Sequence, residues 1–159
     1  MIRIVLNPKY EHLRDAITQL VHPFRFARSG ETLHDGRNTI KHFDCDGLSL
    51  AVKRYGHISP LNKVVYGTLR RSKAERAYLH AARLRDLGVD TPEEVAFVEE
   101  RHYGILRASY FISLYSDYRP VMEVIEETAP DADVQMGLFD QLANFIYHMS
   151  TGQASSTAI

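Results

Sequence analysis

Cysteine is nearly absent. Cys45 stands alone in 159 residues, so no internal disulfide can form, and no Cys/His group has zinc-finger spacing. A reducing, cytoplasmic setting is the expectation. No stretch approaches the roughly 18 apolar residues of a membrane span. The opening Met1-Ile2-Arg3-Ile4-Val5 lacks the long apolar segment of a secretory signal. Also missing are an internal repeat, a Walker-type phosphate loop, a G-x-G-x-x-G run, HExxH, GxSxG and EF-hand spacing. With 45% hydrophobic and 25% charged residues, what remains is one soluble globular domain with a modest core.

Basic residues stop at Arg119. All 19 Lys and Arg lie at or before it against 14 acidic residues, a net +5, while six acidic residues follow it. Seven cations (Lys53, Arg54, Lys63, Arg70, Arg71, Lys73 and Arg76) crowd one span against the lone acid Glu75. Such a span faces phosphates, an anionic membrane surface or nucleic acid, or is a solvated loop and helix start. Nucleic acid is the weaker reading and is not expected as a partner. Tyr55 and Tyr66 form no spaced stacking platform, and the chain as a whole is not basic.

In chain order, Ile2 to Leu6 has strand character that Asn7-Pro8 stops, and Lys9 to His22 has helical spacing ended by Pro23. This unit is expected to lie on the main sheet as a lid. From Glu31 to Tyr55 the period becomes two, predicting a β-hairpin: Thr39 to Phe43, a turn over Asp44 to Gly47, and a returning strand from Leu48 to Lys53. Ahead of it, Asp35-Gly36-Arg37-Asn38 is turn-rich, either an ordinary turn or a place where backbone amides approach a phosphate. Gly56 to Arg71 reads as a short amphipathic helix, packed on its own domain or against a membrane. Ser72 to Leu87 is the clearest helix, with Ser72 as N-cap, Glu75 completing a capping box and Gly88 as the stop. A second hairpin is predicted from Glu94 to Glu100 and Tyr103 to Tyr115, turning at Arg101-His102. Ser116 to Pro120 reads as a linker, Val121 to Glu127 as a short helix, Pro130 to Asp133 as a loop, and Gly137 to Met149 as a helix before a polar tail.

The strand Leu50-Ala51-Val52 delivers Lys53 ahead of a helix with an early Glu75. In a kinase-like N-lobe the lysine contacts the nucleotide's α/β-phosphates and a helical Glu holds its ammonium. Two plainer readings stand beside this one: a strand end that snorkels into water, and a Glu75 occupied with its own helix cap. Several ordered segments together carry a more specific resemblance: Gly36-Arg37-Asn38-Thr39-Ile40-Lys41, Leu50-Ala51-Val52-Lys53, Arg71-Ser72-Lys73-Ala74, Leu87 to Glu99, and Ser109-Tyr110-Phe111-Ile112-Ser113. Through these segments the chain resembles the lipopolysaccharide kinase (Kdo/WaaP) family over about Ile2 to Met149.

The resemblance implies an α+β fold: a protein-kinase-like N-lobe, with an antiparallel sheet and one main helix, over residues 1–115. A hinge follows at 116–120, then the first helices of a truncated C-lobe at 121–149 and a disordered tail at 150–159. It implies an ATP-dependent phosphotransferase acting on a lipopolysaccharide core sugar, with ATP and Mg²⁺ as cofactors, peripheral at the inner membrane. Lys53 would contact the phosphates, Gly36, Arg37 and Asn38 would stand where the nucleotide-covering loop lies, and Ser113 and Tyr115 would line the adenine. Glu75 would be the clamp, although the family's carboxylate falls nearer Ala77 or Leu79. Lys63, Arg70, Arg71 and Lys73 would face the lipopolysaccharide precursor or the anionic membrane.

The family's catalytic Asp and its metal-binding Asn and Asp follow the helix matching Gly137 to Met149. No Asp or Glu occurs here after Asp140. The expectation is therefore a chain inactive alone and without metal ligands, truncated or frameshifted, with apolar surface exposed on that helix. The alternative is a non-catalytic pseudokinase module that binds a nucleotide or partner.

Overall fold

A computed structural model describes residues 1–56, 71–117, 123, 127 and 132–151. They form a mixed α/β structure around a six-stranded antiparallel sheet. Its strands are β1 (Ile2–Leu6), β2 (Glu31–Asp35), β3 (Asn38–Cys45), β4 (Leu48–Tyr55), β5 (Glu94–His102) and β6 (Ile105–Leu114), in the spatial order β1-β5-β6-β4-β3-β2. The helices are α1 (Arg14–Leu20), α2 (Pro23–Arg28), α3 (Lys73–Asp86) and α4 (Ala132–Thr151), with a 3₁₀ turn over Pro8–Leu13.

Both central hairpins close on a residue pair with left-handed backbone. Asp46 and Gly47 have φ of 49° and 76°, and Tyr103 and Gly104 have 50° and 77°. Positive φ at both central positions is the type I′ geometry that matches strand twist, and glycine takes the second position without strain. The second turn therefore falls at Tyr103-Gly104 rather than at Arg101-His102, and both of those residues extend β5. The first contracts in the same way, leaving Asp44 and Cys45 inside β3. The expected hairpin also gains an outer partner, since Glu31–Asp35 pairs with β3 as an edge strand.

Period two along the strands gives the sheet two different faces. On one, Leu6, Val52, Val98, Tyr110 and Ile112 are buried with Leu13, Ile17, Leu20, Val21 and Phe26 from the N-terminal helices. Phe26 meets the Tyr110 ring edge-on at 5.5 Å. The N-terminal helical unit thus packs against the main sheet as expected, and its apolar side chains form part of the core. Pro23 ends nothing by itself. It stands at the first position of α2, where its missing N–H costs no hydrogen bond.

Against the other face lies α3. Ala74 is fully buried, and Tyr78 meets Phe97 of β5 edge-on at 5.4 Å. Its C-terminus is a Schellman motif: Gly88, at φ 74°, donates to the Arg85 carbonyl, and Val89 donates to that of Leu84, both at 2.9 Å.

The chain divides into two compact units. Met1–Ala82 with Pro92–Tyr115 hold the whole sheet. Arg83–Thr91 with Ser116–Ile159 make the second, where α4 begins earlier than the expected Gly137. Asp133, expected in a loop, sits in the first helical turn, where a carboxylate suits the positive end of the helix dipole. On α4, Val134, Met136, Phe139, Ile146 and Tyr147 are exposed. The amphipathic helix expected after Gly56 and almost all of the one expected at Val121 to Glu127 fall outside the described residues, as do Lys63, Arg70 and the tail from Gly152. No described helix is long and apolar enough to cross a membrane.

Candidate functional site

Strand β4 is the spine of the site. Its alternate residues Ser49, Ala51, Lys53 and Tyr55 share the face on which α3 packs, because Lys53 pairs in register with Phe111, and Phe111 with Phe97. Ser113, a buried residue, stands opposite Ala51. One step on, the Tyr115 N–H donates to the Ser49 carbonyl at 2.8 Å, and its ring lies 4.7 Å from that of His42. At the other end of β4, Asn38 pairs with Tyr55. There the Gly36 N–H donates to the Asn38 carbonyl at 3.2 Å, and the Thr39 hydroxyl donates to Asp35 Oδ1 at 3.1 Å. Gly56 lets this turn close on the strand, since a Cβ there would collide with the Arg37 carbonyl.

Ser113 and Tyr115, Lys53, and the Gly36 to Asn38 turn thus follow one another along one face. From Ser49 to Tyr55 the strand rises about 20 Å. Lys53 lies between them, half-buried, with Ile40 and Phe111 as its cross-strand neighbours and its Nζ 5.6 Å from the Tyr55 ring centroid. Among the described residues its ammonium has no carboxylate partner.

Glu75 is engaged elsewhere. Its N–H donates to Ser72 Oγ at 3.1 Å, one half of the capping box, while its carboxylate takes Arg3 of β1 at 3.4 Å. Strands β5 and β6 separate β1 from β4. As Glu75 is the single acid in the first three turns of α3, that helix offers Lys53 no clamp.

Sequence reasoning missed the acid at the centre of this packing, Glu99. It is fully buried, 3.5 Å from Arg3 and 3.1 Å from Arg101. The signal was there in a charged residue at an inward position of a strand, but the run Glu99-Glu100-Arg101 hides it among charges.

Arg76 completes the set. The sequence marked it only as one of seven cations. In the structure its guanidinium makes no hydrogen bond or ion pair among the described residues, and its Nε is shielded from solvent without an acceptor. It lies within electrostatic reach of Tyr55: burial pushes that phenol above the ordinary tyrosine range, and the Arg76 charge opposes the shift. Among the described residues no group of three or more His, Cys, Asp or Glu converges to hold a metal.

Two other grooves lie away from Lys53. One, of about 570 Å³, runs between α1, α2 and the end of β3, past Gln19, Arg25, Glu31 and Asp44. The other, of about 390 Å³, lies beside α2, with Lys41 and Arg54 in its wall. Lys41 donates to the Ala27 and Ser29 carbonyls at 3.3 and 3.2 Å, so its cation closes the end of α2.

No family model matches the chain, and no curated protein does. Among solved structures, WaaP in complex with acyl carrier protein is similar over 81% of this chain at 18% identity, with a TM-score of 0.47. The match takes in 47% of that chain, so this protein spans about half its length.

Proposed function

We propose that the chain is a nucleotide-binding lobe of the kind that serves sugar kinases of the lipopolysaccharide core, with Lys53 as its phosphate contact. One observation carries the reading. Ser113 and Tyr115, Lys53, and the turn of Gly36, Arg37 and Asn38 stand in that order along a single face of β4. An extended nucleotide needs that order: a surface for the base, a cation for the phosphates, and a turn whose backbone can cover them.

In this reading the half-buried setting of Lys53 strengthens its attraction for phosphate, because little water screens it. Ser113 and Tyr115 line the base. Glu75 serves the joint between α3 and the sheet, and its pairing with Arg3 favours holding a nucleotide over transferring its phosphate. Arg71, which is exposed, and Lys73 at the start of α3 remain candidates for a membrane or lipopolysaccharide-precursor contact, with Lys63 and Arg70.

The test is a thermal shift with ATP, with and without Mg²⁺, on the native chain and on Lys53→Ala. The native chain should be stabilised by about 2.7 kcal/mol at ATP one hundredfold above Kd, and the variant by almost nothing. An equal shift in both proteins, or none in either, removes Lys53 from the site.

A further inference from the structure

Phosphates arriving beside Lys53 meet an unusual balance of charge. The acids of this face are already engaged: Glu75 with Arg3, and Glu99, through its Oε2, with Arg3 and Arg101, while its Oε1 is buried without a partner among the described residues. Glu94, near the end of β5, accepts from Asn7 at 3.0 Å. The cations next to Tyr55 are in the opposite condition. Lys53 lies 5.6 Å from the ring, the Arg76 charge acts on the same phenol, and neither has a counter-charge among the described residues. A shielded guanidinium N–H without an acceptor is costly, because desolvation is incurred and no hydrogen bond offsets it. An anion that reached the guanidinium would supply the missing acceptor.

We infer that Lys53 and Arg76 together neutralise a bound di- or triphosphate, so that polyphosphate binding by this chain needs no divalent cation. The inference rests on Lys53 being the phosphate contact and adds the second cation and the independence from metal. In a metal-assisted site Mg²⁺ bridges the phosphate oxygens and is itself held by carboxylates. Here the described residues gather no group of three or more metal-ligating side chains, whereas two cations without counter-charges act on Tyr55 and can supply the positive charge themselves. Guanidinium suits the task, since its planar fork can hold two phosphate oxygens at once. The ligand class is thus the diphosphate group itself, met either in a nucleotide or as inorganic pyrophosphate.

The experiment is isothermal titration of the native chain, Lys53→Ala, Arg76→Gln and Arg76→Lys with ATP and with inorganic pyrophosphate, each in EDTA and again in excess Mg²⁺. For the native chain, ATP affinity in EDTA should lie within about threefold of that in Mg²⁺. Arg76→Gln should weaken it about tenfold, the loss of one charge-assisted hydrogen bond. Arg76→Lys should recover part of that loss, which guards against a merely misfolded variant, and circular dichroism should match across all four proteins. Pyrophosphate binding as tightly as ATP would assign the site to the diphosphate alone; tighter ATP would add the base. If ATP binds only with Mg²⁺, or Arg76→Gln binds as the native chain does, the inference is overturned while Lys53 keeps its role. If nothing binds in either condition, the Lys53 reading fails and this one fails with it.

Discussion

Two ends of one sheet face treat charge in opposite ways. Toward β1 and β5 the charges form ion pairs, with only Glu99 Oε1 left without a partner among the described residues: Arg3 reaches Glu75 and Glu99, Arg101 reaches Glu99, and the Arg3 guanidinium lies over the Phe97 ring at 5.1 Å. Toward β4, Lys53 lies 5.6 Å from the Tyr55 ring and the Arg76 charge acts on the same phenol, with no counter-charge for either among the described residues. A desolvated charge costs several kcal/mol unless it is paired, so the first arrangement is what holds a helix to a sheet. The second adds no ion pair to the fold, and the side chains that form it can answer to a ligand. On the reading proposed above, the difference separates residues that hold the fold from residues that would serve a site, without reference to their type, since an arginine stands at each end.

The contrast breaks most sharply at Arg101. Truncating it to Ala leaves the fully buried Glu99 with the half-exposed Arg3 as its remaining ion-pair partner among the described residues, and should lower unfolding free energy by about 3 kcal/mol in urea titration. ATP affinity measured below the transition should not change. Next is Ser72→Ala, which removes the acceptor of the Glu75 N–H and should cost about 1 kcal/mol, with faster hydrogen exchange in the first turn of α3. Lys53→Ala should move stability by no more than about 0.5 kcal/mol in either direction, because no pair is broken. A loss at Lys53 as large as that at Arg101 would erase the distinction between the two ends.

Much of this frame could be read from the chain itself. Leu50 and Val52 alternating with Ala51 and Lys53 fixed β4 and its faces, and Ser72 with Gly88 bounded α3, because caps and period two are local chemistry. The hairpin turns were misplaced where a tyrosine and an aspartate adopt positive φ, a conformation that glycine alone advertises. Edge strand β2 was not set apart within the period-two stretch that begins at Glu31, because all five of its residues are exposed and no buried face marks it as a strand of its own. The candidate site was legible at Lys53 and at the turn of Gly36 to Asn38, but not in its charge balance. Whether Glu75 turns to its own cap, to Lys53 or to Arg3 depends on a strand some seventy positions away in sequence, and no spacing rule reaches that far.

The smallest effect addresses the uncompensated end most directly. Burial raises the Tyr55 pKa, so the folded state holds the phenolic proton more tightly than the unfolded chain does. That contribution to stability is present below the ordinary tyrosine pKa and is lost as pH rises through the folded value. Arg76 acts in the other direction, favouring the phenolate. Arg76→Gln should therefore push Tyr55 still higher, read as the difference in phenolate absorbance titration between each protein and its Tyr55→Phe partner. A bound pyrophosphate should raise it as well, since its charge cancels the same cation. If Arg76→Gln leaves the midpoint in place, the guanidinium does not act on the ring, and Lys53 is the sole uncompensated cation next to Tyr55 among the described residues. If the variant raises it and pyrophosphate then has no further effect, the ligand and the ring are competing for one charge, which is what a shared anion site requires.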